Sequence, residues 1–102
     1  MDINVRIEPN KSQKYILAER EKKFFLWGNS TATWHKNIAA EIPLEHTFVK
    51  GGGKIKIIPE EKLVFVWDKS SRYGEAPLDV VRGILEEYFK GYEVIQGQPS
   101  EE

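Results

Sequence analysis

The stretch Lys62-Leu63-Val64-Phe65-Val66-Trp67 decides the fold. Five apolar residues in a row, two of them β-branched and two aromatic, read as a central strand. Before it, Pro59-Glu60-Glu61 reads as a turn with proline at a favoured position. Further back, Lys54, Ile55, Lys56 and Ile57 alternate, giving a strand with one wet and one dry face. After it, Asp68 to Ala76 is a polar loop holding Ser70, Ser71 and Gly74. Pro77 suits a first helical position. Leu78, Val81, Ile84, Leu85, Tyr88 and Phe89 then repeat at helical spacing, and Gly91 stops the helix. Tyr92 to Ile95 makes a last strand, and residues 97–102 read as a frayed tail.

The first half follows the same rules. Ile3, Val5 and Ile7 alternate with polar neighbours until Pro9-Asn10. Lys14 to Arg20 and Lys23 to Trp27 read as two strands joined by the charged turn Glu21-Lys22. Gly28-Asn29-Ser30 breaks the run, and Thr31 or Thr33 is the expected cap of a helix. Trp34, Ile38 and Ile42 give that helix an apolar stripe of about two or three turns before Pro43. Gly51-Gly52-Gly53 is costly in a regular strand and predicts a bulge or a close approach to the backbone. The predicted order is β-β-β-α-β-β-α-β. The expected fold is α/β (α+β), a single mixed six-stranded sheet flanked by two helices, one on each face. One domain is expected over residues 1–102.

The 102 residues carry fifteen basic and sixteen acidic side chains. A charge so near zero predicts neither a nucleic-acid nor a membrane partner. With no cysteine there is no disulfide or thiol chemistry. No signal peptide or long apolar run is evident, so a cytoplasmic protein is expected, with a monomer as the default. The two histidines, His35 and His46, are eleven residues apart with no carboxylate pair at ligand spacing, which predicts no metal and no cofactor. Gly51-Gly52-Gly53-Lys54 leads into a strand, not a helix, and is no phosphate loop.

Candidate chemistry rests on His35, Lys14, Lys54 and the loop Ser70-Ser71-Arg72. An imidazole at a helix start takes or gives a proton near neutral pH, beside backbone N–H groups that favour an anion. Taken singly, each residue has an ordinary structural reading. His35 is a surface histidine in a first turn, the lysines are solvated strand ends, and the serines are turn residues. His46 reads as an exposed loop histidine.

In combination they point further. Lys14-Tyr15-Ile16-Leu17 resembles the Lys-Tyr-Val-Leu strand of the phosphohistidine phosphatase and Janus family. Trp34-His35-Lys36-Asn37-Ile38 resembles its Tyr-His-Ala-Asp-Ile, and Gly51-Gly52-Gly53-Lys54-Ile55 its Gly-Gly-Gly-Arg-Ile. Ser70-Ser71-Arg72-Tyr73-Gly74-Glu75-Ala76 is similar to its Ser-Met-Ala-Tyr-Gly-Pro-Ala, and Tyr92-Glu93-Val94 to its Tyr-Glu-Val. There are departures. Lys36-Asn37 and Ser71-Arg72 replace the family residues, and the segment between His35 and the glycines is shorter by about two helical turns.

The resemblance implies a metal-independent protein phosphohistidine phosphatase that hydrolyses a phosphoramidate P–N bond. His35 would be the catalytic base or nucleophile. Lys14 and the segment Ser70, Ser71 and Arg72 would hold the phosphate, with the Lys36 N–H as a further donor. Independently of the resemblance, the glycines and the helix start predict that these residues, His35 and Lys54 border one cleft. The implied partner is a phosphohistidine-bearing protein or a small phosphoramidate. Two alternatives stand beside it: a non-catalytic phosphate or phosphopeptide binder on the same scaffold, and a general interaction module.

Overall fold

The computed structural model describes residues 2–43 and 45–100. Its elements are β1 (Asp2–Arg6), β2 (Gln13–Arg20), β3 (Lys23–Asn29), α1 (His35–Ala39), β4 (Thr47–Ile58), β5 (Leu63–Trp67), α2 (Leu78–Tyr88) and β6 (Glu93–Gln96). A 3-10 turn, Pro59–Glu61, joins β4 to β5. The six strands form one mixed sheet in the order β1-β3-β2-β4-β5-β6. The outer pairs β1/β3 and β5/β6 are parallel and the rest antiparallel. The parallel pair β5/β6 needs a crossover, and α2 supplies it.

The expected α/β fold with two flanking helices is corrected. The chain is mostly β, with one helix of eleven residues and another of only five. The predicted stripe Trp34–Ile38–Ile42 fails at both ends. Trp34 precedes α1 and is exposed, and Ile42 lies in the turn after it. A helix of about 7 Å offers one buried side chain, Ile38, and cannot cover a sheet face as a layer.

Burial follows the period of two along the strands. One cluster packs Val81, Ile84 and Leu85 of α2 against Tyr15, Leu17, Leu26, Ile55, Ile57, Val64, Val66 and Val94. The alternate residues Ile16 and Ala18 pack with Ile38 and Ile42 in a smaller cluster. The long apolar run reads correctly as interior strand β5, between β4 and β6. Its Val64 and Val66 are buried, while Leu63, Phe65 and Trp67 are half-buried. The tail is docked at Gly97, whose N–H donates to Val66 O (2.8 Å), and Pro99 is buried. Residues 101–102 of the expected frayed tail lie outside the described residues.

The three glycines lie inside β4, not before it. β2 and β4 slip register between Leu17 and Ala18, opposite Gly51 and Val49. The bulge read from the glycines therefore exists, and it sits beside the site.

Candidate functional site

The site forms where β5 stops short of covering β4. β5 pairs with Lys54 to Ile58 only. At Asp68 (φ 64°) the chain turns away, and the next residues return along the glycines. Ser70 N–H donates to Gly52 O (3.2 Å), and Gly52 N–H donates to Gly74 O (3.0 Å). The 70–74 loop is thus stitched to the sheet through backbone hydrogen bonds. Ser70 is buried, and its Oγ accepts the Tyr73 N–H (3.1 Å). The turn reading of Ser70 is what the structure contains. Arg72 stands exposed at the loop tip, its guanidinium 5.6 Å from the Tyr73 ring centre.

On one face of β4, α1 begins with His35. A Cβ added to Gly52 would lie 3.0 Å from His35 Cδ2 and 2.5 Å from Tyr15 O. Only glycine leaves room there for both β2 and the imidazole. The His35 Nε2 lies 2.9 Å from Gly53 O. A carbonyl only accepts, so Nε2 carries the proton of that bond. In the neutral ring the lone pair is then on Nδ1.

The α1 start is held from within. Trp34 N–H donates to Asn37 Oδ1 (2.9 Å) and Asn37 N–H to Trp34 O (3.0 Å). The cap expected from Thr31 or Thr33 is corrected. Thr31 instead closes a turn on Asn29 Oδ1 through its N–H and its hydroxyl. The Lys36 N–H has no carbonyl four residues back within the helix, which leaves a donor at the site. The preceding loop is anchored by Glu8, which accepts from Ser30 N–H (2.6 Å) and Ser30 Oγ–H (2.8 Å). Those two bonds hold the Glu8 carboxyl below its usual range.

A cavity of about 270 Å³ lies between α1 and the loop, lined by Trp34, His35, Lys36, Ser70, Ser71 and Arg72. Five of the seven candidate residues meet there. Lys14 and Lys54 do not line it. They are cross-strand partners on the same sheet face as Gly52, bordering a neighbouring hollow of about 230 Å³ with Ser12, Ser30 and Trp67. Lys54 Nζ lies 3.6 Å from Asp68 Oδ2. His46 lies elsewhere, in a hollow with Glu19, Lys22 and Phe48.

Chemically, the cavity joins one imidazole of fixed hydrogen-bond polarity to two cations and a backbone donor. Such a set holds an anion and offers it a base or nucleophile. Sequence reasoning missed three contributors. The Gly53 carbonyl that orients His35 is backbone, and only the glycine run hinted at it. Asn37 as the cap was legible in retrospect from its place three residues into the helix. Trp34, expected in the apolar stripe of the helix, lines the cavity instead.

Among known proteins, the model of the Janus/Ocnus family (Ocnus) matches residues 3–93. The chain belongs to that family. No curated protein matches it.

Proposed function

We propose that this member of the Janus/Ocnus family is a metal-independent protein phosphohistidine phosphatase. The observation that carries the reading is the Nε2–Gly53 O bond of His35, within a cavity shared with Lys36 and Arg72. The donors that the cavity offers a phosphate are the Lys36 and Arg72 cations and backbone N–H groups.

The reaction runs as follows. The phosphoryl group sits against Lys36 and Arg72, whose charge offsets its own. Water attacks phosphorus in line with the P–N bond. Nδ1 of His35 takes the water proton, and the P–N electron pair leaves on the substrate imidazole nitrogen. That nitrogen takes a proton from solvent, and the His35 imidazolium returns its proton to solvent. The products are orthophosphate and histidine. If Nδ1 attacks phosphorus itself, its lone pair forms a P–N bond to His35 as the substrate P–N bond breaks. The leaving imidazole nitrogen keeps that electron pair and is protonated from solvent, and water then cleaves the phosphohistidine on His35 to orthophosphate. Lys14 extends the positive potential along the same sheet face, while the charge of Lys54 is offset by Asp68.

The binder reading has one observation in its favour. The Asn37 side chain is engaged in capping, and no carboxylate is among the residues lining the His35 cavity. Phosphorus NMR of a phosphohistidine peptide separates the two. Release of orthophosphate supports the phosphatase. A shift change without release supports the binder.

A further inference from the structure

The three tryptophans are used very differently. Trp27 has partners within the chain: its Nε1–H donates to Asn4 Oδ1 (2.8 Å), Arg6 lies 4.0 Å over its ring, and Phe25 meets it edge-on at 5.6 Å. Trp67 is half-buried on the inner sheet strand. Trp34 is 58% exposed, and among the described residues no ring or cation packs on its indole. Its backbone is nevertheless fixed, with N–H and O both bonded to Asn37. A large aromatic held at its base and more than half exposed leaves apolar ring surface open to contact from outside the chain.

Its position says what. Trp34 precedes His35 in sequence and borders the same cavity, with Arg72 also on its lining. The space of about 270 Å³ matches roughly nine waters at liquid volume, more than a phosphoryl group alone requires. With the phosphoryl at His35 and Lys36, Trp34 is the one aromatic side chain among the other lining residues.

We propose that Trp34 is a specificity residue that stacks on the imidazole ring of the phosphorylated histidine, so that the site selects a ring-bearing phosphoramidate over a small one. This rests on the phosphatase reading above. The chemistry is apt. The leaving ring is flat and gains positive charge when protonated, and an indole face attracts both a stacked ring and a cation. Trp34 touches the leaving group and not the reacting phosphorus, so it governs which substrate is used.

The test compares two substrates on three proteins. Phosphoramidate has no ring, and a phosphohistidine peptide has one. In Trp34→Ala, the ratio of kcat/KM for the peptide over that for phosphoramidate should fall about tenfold, and Trp34→Phe should restore most of it. A ratio unmoved in Trp34→Ala, or a phenylalanine variant no better than alanine, overturns the proposal. If the wild-type protein cleaves neither substrate, the phosphatase reading fails separately. The same ratio, taken from the dissociation constants of the two compounds, then decides the role of Trp34 in either direction.

Discussion

The Nε2 of His35 lies 2.9 Å from the carbonyl oxygen of Gly53, eighteen residues along the chain. That bond fixes which ring nitrogen carries a proton and which is basic. The neutral ring should therefore be the Nε2–H tautomer. Nitrogen NMR of labelled histidine should show a pyridine-like Nδ1 for His35 at high pH. A pyridine-like Nε2 would mean the ring is turned and the proposed base is the wrong atom.

Gly52 sets the distance between imidazole and sheet. Gly52→Ala drives a methyl to 2.5 Å from Tyr15 O and 3.0 Å from His35 Cδ2. Backbone cannot yield as a flexible side chain does, so a stability loss of about 1–3 kcal/mol is expected. Turnover should fall as well, because the ring is displaced. Gly83 in α2 is the control, since nothing lies within 4 Å of its added Cβ. Gly83→Ala should stabilise by up to about 1 kcal/mol. Chemical denaturation of both variants checks the pair.

The fold rests on the α2 face. Leu85 is fully buried among β-strand residues. Leu85→Ala should cost about 2–5 kcal/mol in urea denaturation. A loss below about 1 kcal/mol would show that this helix does not seal the larger core.

Much of this was legible because the local signals were strong. The apolar run Leu63–Trp67 forms an interior strand. The stripe from Leu78 forms a helix that packs through Val81, Ile84 and Leu85, whereas Tyr88 is exposed and Phe89 lies beyond the helix end. The helix at His35 misled because Trp34, Ile38 and Ile42 share a spacing without sharing an element. Spacing reports period and says nothing of where capping stops a helix. Asn37 closes the start and a turn at Ala40 to Ile42 closes the end, so the second layer of helix never develops. Lys14 and Lys54 lie two residues along β2 and β4 from the Ile16–Gly52 pair beneath His35, so they fall in the next hollow, an offset along the strands that no short motif encodes.

Tyr15 predicts behaviour in alkali. Burial, and then the charge of Glu75, push its phenol up to about 12. The unfolded chain ionises tyrosine near 10. Folding therefore favours the neutral phenol, and the associated stability is present below pH 10. It declines as pH rises from 10 and is lost by about 12, a change of about 2–3 kcal/mol. Tyr15→Phe should flatten this part of the stability curve. An equal decline in the variant would assign it to other groups.

The central claim is that His35 performs the chemistry. The most direct measurement is phosphorus NMR of phosphohistidine-peptide turnover by wild type, His35→Ala and His46→Ala. His46 is the control because it lies in a separate hollow. The account predicts at least a hundredfold loss of turnover in His35→Ala, phosphate affinity changed by less than about threefold, and wild-type turnover in His46→Ala. Wild-type turnover in His35→Ala would contradict it.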